Sequence, residues 1–184
     1  MGVSTPTALM TFEEFERLPD QPGKRELLKG ELIELPPAKF HHHSSGKRIC
    51  ARLDAGLVAA HARGEALELG EAYQELGYKL PDGVYVQPDV SVPFAGQPMR
   101  DGYLSGAPAI AIEIISPSNT ATAIDLKAEL YFQHGAREVW RFYPKTRHVT
   151  VHESGKSRDV RLDEVLTTPL IPGFSLSVRE ILGE

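Results

Sequence analysis

Hydrophobic and polar residues alternate with a period of two in residues 25–35, which read RELLKGELIEL. The two alternating halves are joined by Lys29-Gly30, whose length and glycine are typical of a tight hairpin turn. Pairing Leu28 with Glu31 across that turn places five side chains on one face of the hairpin: Glu26, Leu28, Glu31, Ile33 and Leu35. Two carboxylates are therefore expected on the more apolar face.

Three segments have the pattern of helices. A short helix is predicted after Thr11, which can cap it, and it should end before Pro19. Residues 45–61 carry apolar residues at helical spacing and predict a long helix with one buried stripe: Ile49, Leu53, Leu57 and Ala60. A third helix is predicted to run to about His134, where Gly135 stops it, from one of three capping residues: Ser118, Asn119 or Thr120.

Further segments predict strands. Four of them alternate and are bounded by turn residues: 72–80, 84–93, 138–142 and 148–152. Residues 109–115, AIAIEII, are apolar except for one acid, which indicates a central strand covered on both faces. Residues 94–106 are rich in Gly, Pro and Ser and are interpreted as a loop. The fold class predicted from this order is a mixed α/β (α+β) domain.

Composition limits the architecture. A chain of 184 residues with 41% hydrophobic content can bury one core and is short for two domains, so residues 1–184 are expected to form a single domain. The lone Cys50 excludes an intramolecular disulfide and a thiolate metal cluster, and it is expected to be a small buried apolar residue of a protein from a reducing compartment.

Charge and hydropathy bear on location and partners. The N-terminus has no basic segment followed by a long apolar one, and no window approaches a membrane span, so we expect a soluble, cytoplasmic protein. The net charge of −5 counts against a high-affinity DNA binder, and less against an enzyme. One segment contains no acid and carries a group of basic residues: Lys39, His41, His42, His43, Lys47, Arg48 and Arg52.

Three residues have the chemistry of a metal-dependent active site. Glu113 lies inside the apolar run 109–115, where a carboxylate needs a cation or hydrogen-bond donors; the alternative is a strand-end acid that faces solvent or pairs with an arginine. Asp89 follows Pro88 in an extended segment, although Asp after Pro is also common in turns. Lys127 lies at the centre of the apolar stripe of the third helix and should face the sheet, unless its ammonium snorkels to an edge.

Together these residues suit metal-assisted phosphodiester cleavage. Asp89 and Glu113 can hold Mg²⁺ through oxygen ligands, and the Lys127 ammonium can position an attacking hydroxide or offset transition-state charge. Glu26 or Glu31 could add a carboxylate from the hairpin, unless the hairpin face is solvated.

The run His41 to His43 does not have the spacing of a zinc site, because adjacent residues point in different directions. We place these histidines in the loop before the long helix, where His43 could contact a phosphate or orient a ligand. The chain has no GxGxxG, GxxxxGK[ST] or GxSxG motif and no cysteine positioned as a nucleophile, so dinucleotide binding, P-loop chemistry and serine-hydrolase chemistry have no support.

Five segments in this order resemble a known set: RELLKGELIEL, LPDGVYVQPDVSV, IEIISPSN, DLKAELYFQHGAREVW and LIPGFSL. The chain is similar, over most of its length, to the bacterial putative restriction endonuclease family within the PD-(D/E)xK nuclease superfamily. The resemblance implies a restriction-endonuclease-like central mixed β-sheet flanked by helices, with an N-terminal helix and β-hairpin. It also implies Mg²⁺-dependent phosphodiester hydrolysis.

The resemblance further implies that Asp89 and Glu113 are metal ligands and that a lysine assists the nucleophile. The superfamily's usual lysine stands two residues after the second acid, where this chain has Ile115, so Lys127 must supply the ammonium. Glu26 matches the family's hairpin glutamate best, with Glu31 next. A polar site residue near the start of the first long helix would be His43 or Ser44.

The leading hypothesis is a DNA endonuclease that uses Mg²⁺, with Mn²⁺ as an alternative, at Asp89 and Glu113. Its phosphate contacts would come from three residues of the long helix: Lys47, Arg48 and Arg52. The alternatives are a catalytically inactive nucleic-acid- or protein-binding module and a phosphodiesterase acting on RNA or a small nucleotide. A homodimer is expected if both strands of a duplex are cut, and sequence specificity would come from residues 94–106 or from another protein.

Overall fold

The computed structural model describes residues 9–183. In this part of the chain the helices are α1 Phe12–Glu16, α2 Phe40–Ala62, α3 Ala121–Gln133 and α4 Val178–Leu182. The strands are β1 Lys24–Leu28, β2 Glu31–Leu35, β3 Tyr73–Gln74, β4 Tyr78–Lys79, β5 Tyr85–Val86, β6 Val90–Val92, β7 Met99–Arg100, β8 Tyr103–Ser105, β9 Ile110–Ile114, β10 Glu138–Tyr143, β11 His148–Glu153, β12 Lys156–Arg161, β13 Val165–Leu166 and β14 Leu176–Ser177. The predicted mixed α+β class is confirmed.

The central sheet has the order β12-β11-β10-β9-β6-β3 and is mixed, since β9 runs parallel to β10 and antiparallel to β6. All five residues of β9 are buried, which confirms the predicted central strand. Its isoleucines pack with the apolar stripe of α2 on one side of the sheet, and Ala111 packs with the apolar residues of α3 on the other. Because successive side chains alternate, Glu113 lies on the α3 side.

The N-terminal hairpin has the predicted register, with Leu28 opposite Glu31 and Glu26 opposite Ile33. The turn residues Lys29 and Gly30 both have positive φ, as a two-residue hairpin turn requires. The hairpin belongs to a second sheet of order β2-β1-β5-β4-β8-β7. β1 lies between β2 and β5 and its Glu26 and Leu28 are buried, whereas β2 is the edge strand and its Glu31 is exposed.

Two predicted strands are wrong in extent, because each is divided into two short strands that join different sheets. Residues 72–80 form β3 in the central sheet and β4 in the second sheet, and the chain bends between them at Glu75, where φ is +51°. Residues 84–93 form β5 and β6, and the break includes Pro88, which has no N–H to donate to a strand neighbour. This second break places Asp89 where the two sheets meet.

The prediction of a loop over residues 94–106 is also wrong. The segment contains β7 and β8, which pair antiparallel with Met99 opposite Leu104. Asp101 and Gly102 connect them, both with positive φ. Asp-Gly is a strong signal for a two-residue hairpin turn, and the Gly and Pro content around it obscured that signal.

The long helix α2 begins at Phe40, so the loop predicted for His41 to His43 is helical. Lys39 precedes it as the N-cap residue, and the His43 amide donates to the Lys39 carbonyl at 3.1 Å. The helix therefore begins more than one turn before residue 45, where the prediction placed its start near the first apolar repeat. This turn adds His42 to the inward face, seven residues before Ile49.

The other predicted helix ends are close to the structure. Thr11 caps α1 in a capping box with Glu14, and Thr120 caps α3 by accepting the Ala123 amide at 3.2 Å. Cys50 is partly buried against the α2 side of the core. No helix within residues 9–183 is long and apolar enough to cross a bilayer. The expectation that the N-terminus carries no signal sequence rests partly on residues 1–8, which lie outside the described residues.

Candidate active site

Asp89 lies directly before β6, and its side chain is 10% exposed. The Ile114 amide donates to Oδ2 at 2.7 Å, and the Lys24 ammonium donates to Oδ1 at 2.9 Å. His42 Nε2 lies 3.3 Å from the same Oδ1. Burial alone would raise the pKa of Asp89, but Lys24, His42 and the more distant Lys127 outweigh it and hold the pKa well below its usual range. Asp89 is therefore a carboxylate near neutral pH.

Two side chains of α3 contact Glu113 at its Oε1 atom, one through an ion pair and one through a hydrogen bond. The Lys127 ammonium lies 2.6 Å away and the Tyr131 hydroxyl donates at 2.8 Å. Burial raises the pKa of Glu113 above its ordinary value, although the Lys127 and Lys24 ammoniums offset part of this effect. Burial also raises the pKa of Tyr131, as does the Glu113 charge, so the phenol keeps its proton and remains a donor.

Glu26, from β1, is the third buried carboxylate of the candidate site. Its Oε1 accepts from Lys127 at 2.8 Å and from the Gln87 amide at 2.8 Å. Lys127 therefore bridges Glu26 and Glu113, two carboxylates from different sheets. The Lys127 side chain is only 8% exposed, so it faces the sheet as its periodicity predicted and does not snorkel to the surface.

Lys24 and His42 join this group without having been predicted. Lys24 stands two residues before Glu26 in β1, so the strand alternation that selected Glu26 also places Lys24 on that face. Burial alone would lower the pKa of Lys24, but the carboxylates of Asp89, Glu26 and Glu113 hold the pKa above its ordinary range. The position of His42 could have been predicted by continuing the apolar stripe of α2 two turns from Ile49 toward the N-terminus.

A cavity of about 890 Å³ opens beside these residues. Its polar wall near the carboxylates includes Lys24, His42, Glu75, Gln87, Asp89 and Glu113. Apolar side chains, among them Pro36, Ile181 and Leu182, line another part of it. Lys127 and Glu26 are not on the cavity wall, so the bridging lysine lies behind Glu113. Of the two lysines that contact these carboxylates, Lys24 is the one that lines the cavity.

The remaining predicted residues lie at different distances from this centre. Glu31 is exposed and is not part of the cavity wall, whereas His43 is exposed and lines it. Arg48 also lines the cavity and donates to the Glu180 carbonyl at 3.1 Å. Arg52 forms a 3.4 Å ion pair with the Glu180 carboxylate, and Lys47 is exposed.

The oxygen atoms at the cavity suit a hard divalent cation. Within residues 9–183, no group of three or more His, Cys, Asp or Glu side chains is arranged as a ready-made metal cluster. Mg²⁺ commonly binds through one or two carboxylates and keeps several waters, and Asp89 and Glu113 supply two carboxylates on one cavity wall. Hydrogen bonds from the described residues reach only Oε1 of Glu113, which leaves Oε2 as a ligand atom. The donor set therefore fits Mg²⁺ or Mn²⁺.

The sequence matches the Uma2 family, whose description is "Putative restriction endonuclease", over residues 12–179. That match extends over most of the chain. This protein belongs to the Uma2 family. Membership confirms the resemblance carried by the five sequence segments, and it agrees with the PD-(D/E)xK superfamily.

A solved structure shares the fold of this chain. It is the crystal structure of a protein from Anabaena variabilis described as a putative nuclease, with 21% sequence identity and a TM-score of 0.80. The similarity covers 95% of this chain and 98% of the other. A search of curated proteins gave no match. The two proteins thus share one fold over nearly the whole length of both chains.

Proposed function

We propose that this chain is a metal-dependent endonuclease that hydrolyses DNA phosphodiester bonds. The observation that carries the proposal is the position of Asp89 and Glu113 on one cavity wall, with ammonium groups beside both of them. The family description supports nuclease chemistry in general, and DNA as the substrate and Mg²⁺ as the cofactor are part of the proposal.

Asp89 and Glu113 would hold Mg²⁺ or Mn²⁺. When bound, such an ion supplies a Lewis acid for the phosphate and lowers the pKa of its bound water. Asp89 contributes a ligand that is ionised at neutral pH, because its cationic neighbours keep its pKa low. Lys127 is a positioning residue: from behind the cavity wall it fixes Glu113 against Glu26, and it assists water activation through Glu113.

DNA would approach along α2. Lys47, Arg48 and Arg52 lie on this helix, and Arg48 extends the cavity wall toward α4. Their charges would meet the phosphate backbone, which sets position and not sequence. Cleavage of both strands of a duplex is simplest with two copies related by a two-fold axis, so a homodimer is part of the proposal.

A plasmid assay tests the catalytic assignment. Supercoiled DNA incubated with the protein and MgCl₂ or MnCl₂ should become nicked and linear, and a chelator should stop the reaction. Asp89→Asn and Glu113→Gln should lose about 100-fold or more in rate, since each removes a charged ligand. Glu26→Gln should lower the rate, and its matched control Glu31→Gln, from the exposed strand of the same hairpin, should not. Unchanged cleavage by Glu113→Gln would exclude the assignment.

The charge pairing at the site also favours a second candidate, a module that binds nucleic acid or protein without cleaving. Glu26, Asp89 and Glu113 all contact lysine ammoniums, which stabilises the site without any added cation. The two candidates differ in metal binding: the module predicts no Mn²⁺ binding that depends on Asp89. Parallel assays on RNA and small phosphodiesters separate a third candidate, a phosphodiesterase with another substrate.

A further inference from the structure

Lys24 contacts Asp89, the candidate metal ligand whose two carboxylate oxygens both have polar partners among the described residues. We propose that the Lys24 ammonium occupies the position from which a divalent cation would reach Asp89, and that metal binding requires this lysine to withdraw. Lys24 would thus act as an internal competitor that sets the metal concentration at which the site fills. The inference rests on the proposed function only in taking Asp89 as a metal ligand.

The hydrogen bonds of Asp89 carry the first step. Oδ1 is contacted by Lys24 at 2.9 Å and by His42 at 3.3 Å, and Oδ2 accepts the Ile114 amide at 2.7 Å. A carboxylate offers about four acceptor positions, so three are in use. A cation on either oxygen would also stand close to the Lys24 ammonium, and like charges at such a distance repel strongly.

The position of the two site lysines carries the second step. Lys24 lines the cavity, so a cation entering from solvent meets its ammonium, whereas Lys127 is not on the cavity wall. The partners of Lys127 also differ, because among the described residues Glu113 is contacted only at Oε1 and keeps Oε2 for a ligand. Asp89 is therefore the ligand at which a cation that enters from the cavity meets a lysine.

The balance of charge gives the direction of the effect. Lys24 and Lys127 face the carboxylates of Glu26, Asp89 and Glu113, so removal of one ammonium leaves three negative groups with one lysine. Removing Lys24 frees one of the two occupied acceptor positions of Oδ1, where His42 remains, and it increases the attraction for a cation. If Lys24 were instead a partner that supports metal binding, its loss would weaken binding.

The test is the affinity for Mn²⁺, measured by titrating MnCl₂ into the chelator-treated 184-residue chain and following free Mn²⁺ by electron paramagnetic resonance. We expect Lys24→Met to bind Mn²⁺ about tenfold more tightly than the unaltered chain or better, which corresponds to losing one adjacent ion pair. Lys79→Met is the matched control, because Lys79 pairs with Asp101 in the same sheet and does not line the cavity. Its affinity for Mn²⁺ should stay within about twofold, since the Lys79 ammonium pairs with the exposed Asp101 and contacts neither candidate ligand.

Two further variants separate competition at Asp89 from a general change of site charge. Lys127→Met removes the same charge from the same site, and it should tighten binding less than Lys24→Met. Asp89→Ala in the Lys24→Met background should abolish the gained affinity. Thermal unfolding of each variant verifies that it is folded before titration.

The outcomes distinguish the metal site of the proposed function from the competitor role of Lys24. Mn²⁺ binding by the unaltered chain, with tighter binding by Lys24→Met, supports both. Binding that is unchanged or weakened in Lys24→Met overturns the competitor role and leaves the metal site intact. Binding that occurs only in Lys24→Met supports the competitor role and contradicts a metal enzyme in the natural chain. Absence of binding in both proteins overturns both.

Discussion

Lys127 holds two buried carboxylates, Glu26 and Glu113, against each other in the interior of the protein. Taking one of these charges out of water is costly, and the ammonium at 2.8 and 2.6 Å offsets that cost. A buried ion pair of this kind adds little to the free energy of unfolding when it is compared with apolar side chains in place of both partners. Removing one partner is different, because it leaves an uncompensated charge in the core.

Lys127→Met should therefore destabilise the metal-free protein by about 3–5 kcal/mol near pH 8. The loss should shrink on acidification, because a proton can replace the ammonium. Burial already raises the pKa of Glu113 in the folded state above its ordinary value of 4.5, and without Lys127 it rises further. In the folded variant, Glu113 then binds a proton more tightly than it does in the unfolded chain. The free energy of unfolding of the variant therefore increases as the pH falls from 8 toward the ordinary glutamate pKa of 4.5.

Urea unfolding of Lys127→Met and of the unaltered chain at pH 8 and pH 5 measures the effect. Lys156→Met is a suitable control, since Lys156 forms an exposed pair with Glu153 and should change stability by less than about 1 kcal/mol. An equal loss for Lys127→Met at both pH values would mean that lost packing, and not unpaired charge, is responsible.

At the scale of secondary structure, periodicity predicted the elements on which the site is built. The hairpin register placed Glu26 inward, the apolar run placed Glu113 in a central strand, and the helical stripe placed Lys127 toward it. These are local regularities, and each follows from one strand or one helix. The convergence of the three residues depends on the order of strands in two sheets, which local periodicity does not contain.

The elements that were mispredicted are those whose ends depend on tertiary contacts. Residue Glu75 adopts a positive φ that its side chain does not favour, and this bend sends β3 and β4 into different sheets. Lys24 was missed because a charged residue at a strand start is usually solvated, and only the arrival of Asp89 from another segment buries it. A single residue type could not indicate such a partner 65 positions away.

Arg141, in β10, attaches the first half of α3 to the central sheet. It donates to the Ile124 carbonyl at 3.0 Å and to the Asp125 carboxylate at 2.9 Å, one turn before Lys127. Arg141→Met should lower the free energy of unfolding by about 1–3 kcal/mol, because the Ile124 carbonyl and the Asp125 carboxylate lose the hydrogen bonds that the buried guanidinium donates. It should also speed amide hydrogen exchange between residues 124 and 128.

Hydrogen exchange followed by mass spectrometry tests this local effect. Arg137→Met is the matched control, since Arg137 pairs with Glu68 at the surface and should leave exchange in α3 unchanged. Exchange that rises equally in α2 and α3 would indicate global destabilisation and contradict a role for Arg141 in holding α3.

At the scale of the whole molecule, the distribution of charge sets how DNA can bind. The net charge is −5, yet residues 39–53 carry no acid and include the whole first half of α2. The carboxylates of the candidate site are buried and paired with lysines, so their charge is largely compensated locally. Arg52 is paired with Glu180, which reduces what it can offer a phosphate.

This distribution predicts weak DNA binding with a shallow salt dependence. If Lys47, Arg48 and Arg52 each neutralise one phosphate, the slope of log K against log salt should be about −3 in a chelating buffer, where cleavage cannot proceed. Fluorescence anisotropy of a labelled duplex over a range of KCl concentrations measures that slope. Lys47→Ala should make it shallower by about 1, because Lys47 is exposed and its phosphate contact would be lost. Lys156→Ala, on the far strand β12, should leave it unchanged, and a slope steeper than about −6 would require a different basic surface.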